Sequence, residues 1–415
     1  MKILHTADWH IGKRLLNYSL EEDFERFKDW LIQFINKNNI DLLIVAGDIF
    51  DSAYPSLGSQ KQFLDLLSRL QNECHQIQVI ITDGNHDSVS SMGITIEIAK
   101  HVNTQIISGV THQLADEIIE VKDKNGAVQL VVAAVPFLRD RDLKKMVEGS
   151  TFDDRIKVIK EGVKSHYQEI GGIIKNRNYS VPALAMGHLY AHGALSDNSS
   201  EREIQMGHQA GVEGDIFPEI FEYVALGHIH SSQQVKGKVP IFYSGSPYPL
   251  SFSERNYQHG VRIIEVNDKE VTSEKVVIPP QRKLVKVSGT FEECKTKLFK
   301  LENDANQLDQ LIELEVIEAK YNPTLFIDIE TLIKEFSENY EQHRGIIIKH
   351  RHTFKSESKS AADLFENHID LDDLTPLDIF KQRLEKEDKI EIDEELKDQL
   401  IQAFIEIEQN EETTN

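Results

Sequence analysis

The chain has 415 residues, 69 acidic and 46 basic, for a formal charge of −23, and its 40% apolar content is enough to build two or three domain cores, which excludes general disorder. No apolar run reaches the roughly 18–20 residues that span a bilayer, which argues against a membrane partner, and two cysteines cannot make a disulfide framework or a thiolate metal site. The acidic balance also argues against holding a nucleic acid by charge alone. Because the first residues carry neither a signal h-region nor a cleavage pattern, a cytoplasmic location is expected.

In chain order, Lys2–Thr6 is a predicted strand running into Asp8. Ser19 with Glu22 at N3 gives a capping-box pattern for a helix whose stripe is Phe24, Phe27, Leu31, Phe34 and Ile35. Asp41–Ala46 is a continuous apolar strand of the kind buried on both faces. A helix near Ser59–Asn72 leads to a strand at Gln78–Thr82, and later strands fall at Gln129–Ala134, Ala183–Met186, Tyr223–Leu226, Ile241–Ser244 and Lys275–Ile278. This alternation predicts an α/β layered core, sheets enclosed by helices, over residues 1–280. Pro279-Pro280 marks a boundary. A smaller α+β capping domain is expected over 281–354, with strands at Leu284–Val287, Leu311–Glu318 and Gly345–His350 and helices at Phe291–Asp304 and Thr324–Tyr340. Residues 355–375 read as a linker, and 376–410 hold two amphipathic helical stretches, Leu377–Leu384 and Asp393–Glu408. From Pro376 onward there are 13 acidic and 5 basic residues, a net −8.

Five clusters of donor residues each follow a predicted strand: Asp8-Trp9-His10, Gly47-Asp48, Gly84-Asn85-His86-Asp87, Gly187-His188 and Gly227-His228-Ile229-His230. Residues beyond the carboxyl ends of strands in α/β folds converge on the ligand crevice. Carboxylate, amide and neutral imidazole donors without thiolate suit Mn²⁺, Fe²⁺ or Zn²⁺, with Mn²⁺ favoured by the oxygen content. Two metals held about 3.5–4 Å apart need a bridging carboxylate, and Asp48 is the natural bridge.

The order D-x-H, G-D, G-N-H-D, G-H, G-H-x-H resembles the calcineurin-like metallophosphoesterase superfamily. HTADWHIGK, AGDIFDSAYPS, GNHD, ALGHIH, YSGSPYPLSFSE and the tail segment TPLDIFKQRL further resemble the SbcD-type nuclease family. Carried over by position, the resemblance implies that Asp8, His10, Asp48 and His230 hold one divalent ion and Asp48, Asn85, His188 and His228 a second. His86 would be the catalytic histidine, its ring oriented by Asp87. It implies exonuclease activity on double-stranded DNA ends and endonuclease activity on hairpins and single strands, in DNA repair. It also implies an SbcC-type ATPase partner docked on the C-terminal helices, and a homodimer within a heterotetramer, formed around Ser59–Asn72 and Met92–His101. No G-x-x-x-x-G-K-[ST] pattern occurs, so any ATP control must come from another subunit.

Other readings compete. A metallophosphatase or small-molecule phosphodiesterase would keep the metals but needs neither the extra unit nor docking helices; a non-catalytic scaffold would require lost ligands, and none is lost. At single residues, Lys13 and Arg14 either meet substrate phosphates or lie on a solvated surface, and Asp51 either supports the site or makes an ordinary turn. His192 reads as a loop residue, and His208 is left unassigned. Lys349, His350 and Arg351 form a weak basic group on the α+β unit.

Overall fold

Apolar residues along a strand point alternately to its two faces, and here both faces of two sheets are covered. The computed structural model describes residues 1–74, 77–143, 152–191, 194, 211–267, 270–302, 304–320, 322–354, 397 and 399–404. One six-stranded sheet runs in the order Glu270–Val277, Gly260–Asn267, Lys2–Thr6, Leu42–Ala46, Gln78–Thr82 and Thr104–Ile107. A second runs Gln233–Val235, Ile241–Tyr243, Phe221–Gly227, Ala183–His188, Val128–Ala134 and Ile118–Lys122. The central strands of each are parallel, with Leu4 opposite Leu43 in the first sheet and Gly227 opposite His188 in the second.

Ile3, Leu42, Ile44 and Ile80 of the first sheet meet Leu130, Val132, Leu184 and Met186 of the second in one buried cluster. Alternate residues Leu4, Leu43 and Val45 face outward onto Phe24, Phe27 and Leu31 of the helix Glu21–Asn38 and Phe63 and Leu66 of the helix Leu57–Glu73. On the other side Val163, Tyr167, Ile170 and Ile174 of the helix Phe152–Arg177 cover the second sheet. The expected α/β layered core is therefore present, as two stacked sheets between outer helices.

Local differences have local causes. Leu20, not Ser19, is the N-cap of the first helix, which starts at Glu21; Tyr18–Ser19 pairs with Arg14–Leu15 in a small hairpin, and the Ser19 hydroxyl accepts from Glu21 N–H (3.3 Å) without forming the capping box. The helix expected at Phe291–Asp304 ends at Leu298, and the Asp304 carboxylate accepts from Asn306 N–H in a turn that competes with helix. The 26-residue helix Phe152–Arg177 is an addition to the expected elements, although Ile159, Val163, Tyr167, Ile170 and Ile174 repeat at helical spacing. His192, His208, the 355–375 linker and the Leu377–Leu384 helix lie outside the described residues. No helix among those residues is long and apolar enough to cross a membrane.

The chain divides into a unit of residues 1–317 and 323–353 and a second of residues 318–322 and 354–415; in the second, Lys397 and residues 399–404 are helical. The first unit includes a three-stranded sheet in the order Leu284–Gly289, Gln310–Glu318, Gly345–Phe354, the last residues of the latter two strands belonging to the second unit. Arg282, just before this sheet, places Nε 2.9 and 3.0 Å from the two Asp23 oxygens and donates Nη1 to Asp309 O (2.5 Å). Both side chains are buried, so the pair ties the helix Glu21–Asn38 to the smaller sheet. Breaking a buried pair by removing one partner leaves the other charge uncompensated, at about 3–5 kcal/mol. Arg282→Met should therefore lose stability on that scale in urea titrations, and the double variant D23N/R282M should recover part of it.

Between the sheets, the His5 ring sits 3.1 Å from the Tyr223 hydroxyl and 3.2 Å from Leu226 O. Burial, and then the Arg262 guanidinium, push its pKa down from 6.5 to about 3. The folded state thus holds His5 neutral while the unfolded chain protonates it, so its contribution is present above pH 6.5 and is lost as pH falls toward about 3. His5→Gln should flatten the stability decline across that window, measured as urea midpoints against pH.

Candidate metal centre

The strands Lys2–Thr6, Leu42–Ala46 and Gln78–Thr82 run parallel in one sheet, as do Ala183–His188 and Phe221–Gly227 in the other, so each set delivers its trailing residues at one edge. Side chains there must turn back toward the shared edge, and the backbone bends sharply to do it. Asp8, His10, Asp48 and His228 take φ of 54°, 45°, 49° and 102°, the left-handed region in which Asp, Asn and His are enriched among non-glycine residues. Glycine removes obstructions: a Cβ at Gly47 would lie 2.1 Å from His188 Nδ1, and one at Gly227 would lie 1.8 Å from Ala46 O.

All five donor clusters meet. Asp8, His10 and His230 bring candidate ligand atoms within 4.8 Å of one another, as do Asp48, His188 and His228, and also His10, Asp48 and His86. Asp8 Oδ1 accepts from His228 N–H (2.8 Å), while its buried Oδ2 has no hydrogen-bond partner. His10 Nε2 is likewise buried without a hydrogen bond and lies 3.5 Å from Asp48 Oδ2. His188 Nε2 lies 3.2 Å from Asp48 Oδ2 and 2.9 Å from Asn85 Oδ1, which is also 3.1 Å from His228 Nδ1.

Polar atoms rarely go unsatisfied in a protein interior, and here the orphans are acceptors of the type that divalent ions take. The charges agree. Burial, with Asp48 adding to it, raises the Asp8 carboxyl to about 6 against the opposing pull of His188 and His230. Burial lowers His10 to about 4 and holds His228 well below its usual range. His188 goes the other way, to about 9, because the Asp48 and Asp8 carboxylates outweigh its burial. Carboxylates and imidazoles so arranged fit a binuclear site for divalent cations, which favour the ionised carboxylate and neutral imidazole together.

The histidine rings are set by their other nitrogens. Nδ1 of His188 faces Ala46 O (2.9 Å), Nδ1 of His10 faces Asp51 Oδ1 (3.2 Å) and Nδ1 of His230 faces Glu254 Oε1 (2.9 Å). His86 N–H donates to Asp48 Oδ1 (2.9 Å), and its ring Nδ1 lies 2.8 Å from Asp51 O. The expected pairing of Asp87 with the His86 ring is corrected: the Asp87 carboxylate accepts from Ile49, Phe50 and Gly84 N–H at 3.0, 2.9 and 2.9 Å, tying two strand-end loops together. Lys13 turns inward to Asp51 (3.0 Å), and Arg14 donates to Asn17 O.

Three supports lie outside the five donor clusters. Glu254 sits 24 residues past His230. Asp83 is buried with Oδ1 on Phe137 N–H (3.0 Å) and Oδ2 on Gly109 N–H (2.9 Å), while Arg139, beside it, donates to Asp87 O (2.9 Å). Asp83 lies next to the Gly-Asn-His-Asp cluster and Glu254 closes the YSGSPYPLSFSE segment, both usable signals; Arg139 is linked to the site only by tertiary contact.

Asp87→Ala would strand three buried backbone donors at about 1–3 kcal/mol each. The variant should unfold at markedly lower urea concentration and weaken divalent-ion binding by calorimetry, although Asp87 is not itself among the cluster's ligand atoms.

Residues 1–232 match the family model described as calcineurin-like phosphoesterase, and residues 280–388 match one described as type 5 capsule protein repressor C-terminal domain. The chain is 28% identical over 408 residues to the SbcD component of the SbcCD nuclease of Escherichia coli (strain K12), covering 97% of each chain. It is 31% identical over 271 residues to the SbcD component of the same nuclease from Rhodobacter capsulatus, covering 64% of this chain and 66% of that one. Among solved structures, a dimetal phosphatase from Danio rerio aligns with a TM-score of 0.41 and 12% identity, over 66% of this chain and 95% of that one.

Proposed function

The chain belongs to the calcineurin-like phosphoesterase family, and from that premise we propose that it is the nuclease subunit of an SbcC–SbcD-type complex, a metal-dependent DNA phosphodiesterase. The observation that carries the chemistry is the pair of buried donor clusters on either side of Asp48, with Asp8 Oδ2 and His10 Nε2 unsatisfied. The full-length likeness to a relative named as part of the SbcCD nuclease supports the substrate and the partner.

In this reading Asp8, His10, Asp48 and His230 hold one ion and Asp48, Asn85, His188 and His228 the other, with Mn²⁺ the favoured metal. Two bound ions supply positive charge at both the attacking and the leaving oxygen of a phosphodiester. The chain's own residues do the rest. The Asp51 carbonyl accepts from His86 Nδ1, which leaves Nε2 as the atom that would stabilise or protonate the leaving oxygen. Asp87 braces the loop bearing His86 rather than exchanging protons with it.

The chain's net charge of −23 makes this subunit a weak DNA binder on its own. Retention of DNA then falls to an SbcC-type ATPase docked on residues 376–410, in a cytoplasmic heterotetramer built around a homodimer of this chain. Residues 281–354 act as a cap beside the catalytic domain of residues 1–280, which processes double-stranded ends and hairpins in DNA repair.

The test is cleavage of linear duplex and hairpin DNA by the full-length chain, with and without Mn²⁺, alone and with the co-purified ATPase. His86→Ala should reduce the rate by about 10²–10⁴-fold while calorimetry still shows Mn²⁺ binding. Turnover of p-nitrophenyl phosphate with DNA left intact overturns the nuclease assignment, and failure to bind any such ATPase overturns the complex.

A further inference from the structure

Glu254 lies outside the five strand-end clusters, in the short 3-10 turn Phe252–Asn256, and its side chain is fully buried. Oε1 stands 2.9 Å from His230 Nδ1, and Oε2 accepts from Leu250 N–H (3.0 Å) and Ser246 Oγ (3.4 Å). The same segment grips the His230 backbone, since Ser246 N–H donates to His230 O at 3.0 Å. Gly245 (φ 79°) keeps that approach open, because a Cβ there would lie 2.6 Å from His230 O. His230 is thus held at both main chain and ring by residues 246–254.

We infer that Glu254 is a positioning residue that locks the tautomer of His230 and thereby sets the affinity of the Asp8–His10–Asp48–His230 ion separately from that of the second ion. The inference rests on the two-metal reading above. With Oε2 accepting from Leu250 N–H and Ser246 Oγ, Oε1 faces His230 Nδ1 as an acceptor, so Nδ1 is the donating nitrogen and Nε2 the ligand atom offered to the cluster with Asp8 and His10. A carboxylate behind a metal-binding imidazole also makes the ring a stronger donor.

The two clusters differ in this respect. In the first, His10 and His230 lean on side-chain carboxylates, Asp51 and Glu254; in the second, His188 leans on the Ala46 backbone carbonyl and His228 faces the Asn85 amide. Of the two carboxylates, Asp51 is shared with Lys13 and partly exposed, whereas Glu254 is sealed and touches the first cluster through His230 alone among its members.

The test uses metal-stripped full-length protein titrated with Mn²⁺ by calorimetry, beside ¹⁵N spectra of the histidine side chains. Wild-type protein should show two binding events, and Glu254→Gln should weaken one of them by about 10–100-fold while leaving the other, and the urea midpoint, unchanged. A folded E254Q variant with both events intact, or with both weakened equally, overturns the inference. So does a metal-free wild-type protein whose His230 carries its proton on Nε2, a reading that does not depend on the variant folding. Wild-type protein without two Mn²⁺ events overturns the two-metal reading instead.

Discussion

Asp8 and Asp48 are both buried, with oxygens directed into one small space lined by imidazoles. Charge removed from water must be answered locally, and the chain answers part of it with its own backbone. His228 N–H reaches Asp8 across from the other sheet, and His86 N–H reaches Asp48 from a neighbouring strand end. Those bonds require the carboxyl ends of two sheets to come almost into backbone contact, which in turn requires glycine at positions 47 and 227. What backbone donors cannot neutralise is left on Asp8 Oδ2 and in the raised Asp8 carboxyl, and this residual is what makes the space a cation site rather than an ordinary polar core.

The layered architecture follows from that requirement. Stacking Ile3, Leu42 and Ile44 against Leu130, Val132 and Leu184 fixes the distance between the sheets along their length, so their strand ends arrive in register. Asp87, Asp83 and Asp51 then hold the intervening loops by their backbone N–H groups or by neighbouring side chains. Their carboxylates brace the strand-end loops and the His10 ring around the donor clusters.

The donor set is legible in the sequence because each donor group closes a predicted strand, and a strand end is a position the sequence marks well. The strands themselves are legible as apolar runs such as Leu42–Ala46, buried throughout. What stays hidden depends on tertiary approach. Nothing local links Glu254 to His230 or Arg139 to Asp87. Adjacency misleads at Asp87, since neighbouring side chains on an extended loop point apart, and His86 finds its partner in the carbonyl of Asp51, 35 residues away. The helix Phe152–Arg177 has the right spacing but a weak signal, its sequence broken up by charged residues and three glycines.

The left-handed backbone at Asp8, His10, Asp48 and His228 has a consequence for how such a protein drifts over generations. That conformation is tolerated by glycine, asparagine, aspartate and histidine and resisted by branched or bulky side chains. The bend that aims these ligands therefore also filters their replacements. A lineage that lost its ions would first accumulate asparagine or glycine at these four positions, while apolar residues stayed rare. Decay of the chemistry would leave a polar imprint at the strand ends long after the metals had gone.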